Sequence, residues 1–159
     1  MYIPEHMQPL DALFERRIVD IKNIYTGIKF RGGQIKYQAL YRSPIYRYAK
    51  VIAADGIANA REKALYNRYQ QSYLGTSTKK VEAIVQSIQS NGFNPEYAPL
   101  AFRSLKRVFP LQRYDIADGH HRAAVLAALG QTEIELVIYR VNHKNSLRRL
   151  AESIQYSFK

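Results

Sequence analysis

Residues 114–130 read Tyr-Asp-Ile-Ala-Asp-Gly-His-His-Arg-Ala-Ala-Val-Leu-Ala-Ala-Leu-Gly, and this segment is the strongest indication of the fold. Tyr114–Ala117 predicts a short strand, and the Asp118-Gly119 pair predicts a turn. The apolar segment from Arg122 to Leu129 predicts a helix that ends at Gly130. A strand, a glycine turn and a helix are therefore expected to follow one another directly.

The turn between this strand and this helix carries the residues that point to chemistry. The first N–H groups of a helix lack internal acceptors and lie at the positive end of its dipole, so they attract anions. Gly119 lets the backbone approach a bound phosphate, and the planar guanidinium of Arg122 can hold two phosphate oxygens. The same residues also fit a plain helix cap and turn without a ligand, and both interpretations stay open on the residues alone.

Segments on both sides of this stretch predict a compact α+β unit. Upstream, residues 79–91 predict a helix that stops at Asn91-Gly92, and residues 95–102 predict a loop that leads into a strand. Downstream, residues 134–141 are apolar and β-branched enough for a buried strand. Apolar residues between Leu147 and Ile154 predict a closing helix. The upstream helix is indicated by apolar residues at helical spacing, namely Val81, Ile84, Val85 and Ile88.

The first half of the chain is predicted to be mainly helical. Apolar residues from Leu10 to Tyr25 lie close to a 3.6-residue period that Gly27 ends, which predicts an amphipathic helix. Residues 28–30 and 35–37 predict a short hairpin. The Ser43-Pro44 pair predicts an N-cap and the first position of a helix, and another helix is expected over residues 57–71.

These predictions divide the chain into two parts. Residues 1–77 are expected to form a helical N-terminal extension packed on the core. Residues 78–159 are expected to form the α+β core that contains the anion-binding turn.

Composition limits the classes of protein to which the chain can belong. The 159 residues include no cysteine, which excludes disulfides, cysteine nucleophiles and iron–sulfur clusters. No apolar run reaches membrane-spanning length and no signal-peptide pattern is present, so we expect a cytoplasmic protein without a membrane span. Lys and Arg total 24 against 13 Asp and Glu, a net charge of +11, which favours anionic partners such as nucleotides or nucleic acid.

Three motifs in order give the chain a family resemblance. They are Ser-Ile-Gln-Ser-Asn-Gly at the end of the helix at 87–92, Ile-Ala-Asp-Gly-His-His-Arg at 116–122, and Glu-Ile-Glu-Leu-Val-Ile-Tyr-Arg-Val at 133–141. Over about residues 78–141 this pattern resembles the ParB/sulfiredoxin-like superfamily, in which a Gly-x-x-Arg signature opens a helix. The Asp-Gly-His-His-Arg motif at 118–122 is most similar to that of the free-serine kinase branch. The catalytic cysteine of sulfiredoxin has no counterpart here, so repair of sulfinic acids is excluded.

The resemblance implies a small mixed sheet flanked by helices that binds nucleotide phosphates at this loop. The bound nucleotide is CTP in partition proteins, ATP in sulfiredoxin, and ADP or ATP in the serine kinases. Carried over to this chain, the resemblance implies a phosphate cradle and a smaller catalytic set. The cradle comprises Gly119, His120, His121, Arg122 and Ala123, and the catalytic set comprises Asp118, His120 and His121.

The kinase resemblance further implies Mg²⁺ at Asp118 and a small molecule that accepts a phosphate. Phosphoryl transfer depends on charge neutralisation and positioning, and a carboxylate beside phosphates is a usual ligand of Mg²⁺. A general base is also required, and Glu62, Asp55 and Glu82 are the carboxylates available for it. The expected activity is that of a Mg²⁺-dependent phosphotransferase or NTPase.

Two other functions are compatible with the sequence. The second expected function is that of a DNA-binding accessory protein without catalysis. Basic and aromatic residues are interspersed in the first half of the chain, and this pattern suits the binding of nucleic acid. Packing of the tyrosines in a helical core explains the same pattern. A third interpretation is a binding module that holds a phosphorylated small molecule without turnover. Zinc or iron is disfavoured because adjacent positions such as His120 and His121 point about 100° apart on a helix.

Overall fold

The protein is a mixed α+β fold built on one six-stranded sheet. The structure is a computed structural model, and it describes residues 12–29, 35–56, 61, 63–67, 78–104 and 112–141. The strands are β1 (Ala12–Asp20), β2 (Ile24–Lys29), β3 (Ile35–Ala39), β4 (Leu100–Arg103), β5 (Tyr114–Asp118) and β6 (Glu133–Val141). The helices are α1 (Pro44–Asp55), α2 (Thr78–Asn91) and α3 (His120–Ala128), and residues 61 and 63–67 are also helical.

The sheet interleaves early and late strands in the order β1-β6-β4-β5-β2-β3. β1 pairs antiparallel with β6 from Ala12 opposite Val141 to Asp20 opposite Glu133. β4 runs parallel to β6 and antiparallel to β5, while β2 runs parallel to β5 and antiparallel to β3. The sheet is therefore complete only when strands from both halves of the chain are present.

The three helices pack on one face of this sheet. Alternate strand residues such as Ile24, Ile116 and Leu136 point to that face and are fully or almost fully buried against Val85 and Val125. A smaller apolar cluster lies on the opposite face, where Leu100, Val137 and Tyr139 are buried and Phe14 packs against them. Both faces of β6 are thus covered over residues 136–139, the continuous apolar run within its sequence.

Local signals in the sequence set the ends of α1. The Ser43 side chain accepts a hydrogen bond from the Tyr46 N–H, and Pro44 occupies the first helical position. Gly56 ends the helix in the left-handed conformation, and its N–H donates to the Ile52 carbonyl at 2.8 Å. This confirms the predicted cap and start of α1.

Several other predicted elements are confirmed. β2 and β3 form the predicted hairpin, α2 ends at Asn91, and β5 is followed by Gly119 and α3. β6 covers the predicted buried strand. The predicted closing helix at 147–154 lies outside the described residues. Of the helix predicted at 57–71, the structure describes residues 61 and 63–67, which are helical.

The amphipathic helix predicted from Leu10 to Tyr25 is wrong. The described part of that segment forms β1, a short 3-10 turn at Ile21–Asn23 and the start of β2. Residues 1–77 contribute three of the six strands, so their predicted helical character is wrong, whereas the boundary between residues 77 and 78 stays a prediction. The physical reason is that pairing with β6 and β5 outweighs a local periodicity that also fits a helix.

Within the described residues, no helix combines the length and the apolar character needed to cross a membrane.

Candidate functional site at the start of helix α3

Gly119 links β5 to α3 in a conformation that favours glycine. Its φ is +78°, in the left-handed region, and it is the N-cap residue of α3. A Cβ at this position would lie 3.0 Å from the Pro99 Cα and 2.9 Å from the Arg122 Nη2. The turn therefore packs directly on the backbone before β4, and a side chain would push it away.

His120 anchors the first turn of α3 to the sheet. Its Nδ1 lies 2.6 Å from the Oγ1 of Thr26, which is 1% exposed in the middle of β2. Burial lowers the pKa of His120 to about 4, and this outweighs the opposing effects of the Asp118 carboxylate and the Ala117 backbone. At neutral pH the imidazole is uncharged, and its contact with β2 suits it to hold the loop in place.

His121 is also uncharged at neutral pH. Burial lowers its pKa to about 4, and the nearby positive charges of Lys80 and Arg122 act in the same direction. The two histidines thus add hydrogen-bonding groups to the turn without adding charge. The fixed positive charge of the site comes from Arg122 and Lys80.

Arg122 makes a weak ion pair with the carboxylate that precedes the turn. Its Nη2 lies 3.3 Å from the Asp118 Oδ2, and the two side chains are 32% and 47% exposed. An exposed single-point pair of this kind contributes little stability. The Arg122 Nε is buried and has no hydrogen-bond partner within the described residues. The guanidinium therefore has donor capacity that the Asp118 pair does not use.

A cleft of about 410 Å³ opens beside Arg122. One wall is the face of α2 that carries Lys80, Ile84 and Ile88, and the other is the loop that follows α2, with Phe93 and Tyr97. Tyr97 is 52% exposed, so its ring is accessible to a ligand. The cleft combines an apolar lining with a cation at its edge, which is the usual character of a small-molecule site.

The remaining predicted residues lie at different depths. Asp118 ends β5 half exposed, at the mouth of the turn. Ala123 is fully buried in the core, and its N–H donates to the Gly119 carbonyl at 3.0 Å. Ala123 therefore offers neither its side chain nor its N–H to a ligand.

The candidate bases are not gathered at the turn. Asp55 is exposed at the end of α1, and Glu82 on α2 accepts a hydrogen bond from the Tyr48 hydroxyl at 2.5 Å. Glu62 lies outside the described residues. No group of three or more His, Cys, Asp and Glu side chains suited to a metal ion occurs in the part of the chain that the structure describes.

Four residues of the site were missed by reasoning from the sequence. Thr26 anchors His120, Pro99 packs on Gly119, and Lys80 and Tyr97 line the cleft. The available signal for Lys80 and Tyr97 was that they flank the Ser-Ile-Gln-Ser-Asn-Gly motif at 87–92. No signal in the sequence pointed to Thr26, because it lies between the helix predicted up to Tyr25 and the hairpin strand predicted from residue 28.

Comparisons with known proteins gave one family match and one structural match. A family model described as the ParB N-terminal domain matches residues 49–154. A solved structure of a Pnob8-like ParB-N domain is 12% identical with a TM-score of 0.43, and the alignment covers 95% of this chain and 39% of that one. The chain thus spans about two fifths of that solved protein. No curated protein matches the sequence significantly. Since the family model covers most of the chain, including α2, β5, α3 and β6, the protein belongs to the ParB N-terminal domain family.

Proposed function

We propose that this domain binds a nucleotide, with its phosphates at the start of α3 and its nucleoside in the cleft beside Arg122. The observation that carries the proposal is the position of Arg122. Its side chain lines the cleft, its Nε is buried without a partner in the described residues, and it follows a left-handed glycine at a helix start. Such a helix start supplies N–H donors to a phosphate, and a guanidinium adds charge and a bidentate geometry.

The other residues of the turn would act in different ways. The N–H groups of His120, His121 and Arg122 would donate to phosphate oxygens. The neutral His120 would hold the loop against Thr26 rather than touch the ligand. Asp118 would lose its weak pair with Arg122 and face the phosphates, where a carboxylate repels an anion unless a cation lies between them.

Magnesium fits this arrangement as a partner of the nucleotide. Mg²⁺ in proteins keeps several waters and is held by one or two carboxylates together with substrate phosphates. A single carboxylate, Asp118, at the mouth of the turn meets that requirement. When bound, Mg²⁺ would supply charge neutralisation at the phosphates. ATP, ADP and CTP are the nucleotides to be tested, and transfer to a small-molecule acceptor or hydrolysis is the reaction to be looked for.

Isothermal titration calorimetry with ATP, ADP and CTP, each with Mg²⁺, tests the proposal. We expect binding by the wild type and a loss of about 1.5–3 kcal/mol in Arg122→Ala, since a hydrogen bond to a charged group has about that magnitude. Arg103→Ala serves as the control, because Arg103 is an exposed arginine at the end of β4. Absence of heat with all three nucleotides at millimolar concentration would remove the proposal. Binding without product release or transfer would identify a module without turnover.

A second candidate function is binding of DNA along α1. Arg47 and Lys50 lie one turn apart on the exposed face of α1, and Arg42 is exposed just before it with its guanidinium 5.7 Å from the Tyr41 ring centroid. A cationic face with an accessible aromatic ring suits a nucleic-acid backbone. Arg68, another basic residue of this half, lies outside the described residues.

Salt dependence distinguishes this second function from the first. If α1 binds DNA, affinity for a duplex falls steeply with salt because counterions are released from the phosphates. The combined substitution of Arg42, Arg47 and Arg68 by Gln would then weaken DNA binding more than Arg122→Ala does. Equal loss from both changes would argue against a separate DNA surface on α1.

A further inference from the structure

β1 is a long strand at one edge of the sheet. It spans nine residues, Ala12–Asp20, and its only neighbour within the described residues is β6. Ile18 is 69% exposed, the most exposed large apolar side chain of the described structure. A long edge strand with an exposed apolar residue is a template for pairing with another strand.

The register of β1 shows which of its backbone groups face outward. The Ile21 N–H donates to the Thr132 carbonyl at 3.0 Å, one step beyond the Asp20–Glu133 pair. In an antiparallel ladder the hydrogen-bonded positions alternate, so residues 15, 17 and 19 direct their backbone groups to β6. Residues 14, 16, 18 and 20 therefore direct theirs away from β6, to the side of β1 that has no neighbouring strand among the described residues.

The sequence of β1 is complementary to itself in one antiparallel register. With a twofold axis at Arg16, the outward-facing residues 14 and 18 come opposite each other in the two copies and form hydrogen-bonded pairs. Glu15 then lies opposite Arg17 of the second copy, twice by symmetry. Shifting the register by one pair in one direction would instead put Glu15 opposite Glu15, and in the other direction Arg17 opposite Arg17. Charge thus selects one register.

Apolar and polar contacts support the same register. Phe14 and Ile18 lie on the same face of β1, so the exposed Ile18 of each copy would be covered by Phe14 of the other. Within one chain the Arg17 Nη2 and the Glu15 Oε1 already lie 2.6 Å apart, so the four charges would form an alternating network across the axis.

In this register Arg16 of one copy would lie opposite Arg16 of the other, and contacts within each chain draw the two guanidinium groups apart. The Arg16 Nη1 lies 2.9 Å from the Glu135 Oε1 and 3.1 Å from the Pro95 carbonyl. Glu135 lies on β6 and Pro95 lies in the turn before β4, so both partners are on the β6 side of β1. The guanidinium is therefore drawn across β6 and away from the outer side of β1.

We propose that β1 is a self-association surface, at which a second copy of this chain adds its own β1 antiparallel about a twofold axis at Arg16. The two sheets would join into one continuous sheet of twelve strands, twice the six of one chain. The interface would be isologous, as in most soluble dimers. This inference is independent of nucleotide or DNA binding.

Charge reversal on the full chain tests the surface and its register. Sedimentation equilibrium on the wild type is expected to show a dimer. Arg17→Glu and Glu15→Arg would each place like charges opposite each other twice, and each is expected to weaken the dimer by at least tenfold. Lys79→Glu, an exposed charge reversal on α2, is the matched control and is expected to leave the dimer unchanged.

Two rescue experiments separate broken pairing from a damaged fold. An equimolar mixture of the Arg17→Glu and Glu15→Arg proteins restores opposite charges at both positions, so a heterodimer is expected. The double variant Glu15→Arg/Arg17→Glu is expected to dimerise as the wild type does. Three outcomes would each overturn the proposal. The first is a monomeric wild type, and the second is a dimer that both single reversals leave intact. The third is a mixture that stays monomeric although circular dichroism shows both proteins to be folded.

Discussion

Gly119 and Thr26 together determine the shape of the turn between β5 and α3. Gly119 allows the left-handed bend and the close approach to Pro99, and Thr26 fixes the imidazole of the residue that follows the bend. Neither contact is local in sequence, since Pro99 precedes β4 and Thr26 lies on β2. The turn is thus held from two sides by elements that are distant along the chain.

Replacement of Gly119 by Ala is expected to destabilise the protein by about 2–4 kcal/mol. The left-handed conformation alone costs a residue with a Cβ about 1–2 kcal/mol, and contact with the Pro99 backbone adds to it. Gly56→Ala is the matched control, because Gly56 has a φ of +69° and nothing within 4 Å of the added Cβ. Urea denaturation measures both. If both variants lose the same free energy of unfolding, the close approach of Gly119 to Pro99 does not contribute to stability.

Replacement of Thr26 by Val is expected to cost about 1–3 kcal/mol, because it leaves the buried His120 Nδ1 without its partner. Thr26→Ser retains the hydroxyl and is expected to keep the contact. NMR of the imidazole nitrogens measures the tautomer and hydrogen bonding of His120 directly. An unchanged His120 spectrum in the Val variant would mean that another group holds the ring.

At the scale of elements, signals close in sequence predicted the helices well and the first strands poorly. Ser43, Pro44 and Gly56 set the ends of α1 through contacts within a few residues, so the sequence alone identified that helix. β1 depends on nine pairs with β6, which begins more than a hundred residues later in the chain. The turn at Gly119 was predicted from its own residues, whereas its anchors Thr26 and Pro99 required the tertiary fold.

The first turn of α3 is expected to respond to acid. His120 and His121 have pKa values of about 4 in the folded protein, below the ordinary value of 6.5, so between these values the unfolded chain binds more protons. Their contribution to stability is complete above pH 6.5 and is lost as the pH falls toward 4. We expect a loss on the order of 2–3 kcal/mol per histidine, since one pKa unit is about 1.4 kcal/mol.

Urea denaturation across pH 4 to 7 measures this loss. The change in the free energy of unfolding over that range is expected to be smaller in His121→Gln than in the wild type, because one of the two groups no longer titrates. NMR titration of the imidazoles provides the site-specific check. Histidines that titrate near pH 6.5 in the folded protein would contradict the expectation.

At the scale of the whole molecule, the six-stranded sheet extends beyond the part that the family model matches. The match begins at residue 49, whereas β1, β2 and β3 all precede it. These strands lie at both ends of the sheet order, with β1 beyond β6 and the β2–β3 hairpin beyond β5. The resemblance to a known superfamily therefore indicated the central part of the sheet and the Gly119 turn but neither β1 nor the β2–β3 hairpin, and of these only the hairpin was predicted from its own residues.

The interleaved strand order has a consequence for how the protein is made. On the ribosome, β2 can pair with β3 as soon as both have emerged, but it has to wait for β5 before it joins the rest of the sheet. β1 has to wait for β6, which follows more than a hundred residues later. Strand pairings this distant along the chain form slowly, because the entropy cost of closing a long loop comes before any stabilising contact between the strands. Until β6 is available, β1 with its exposed Ile18 is an unpaired strand, and unpaired strand edges of this kind favour aggregation.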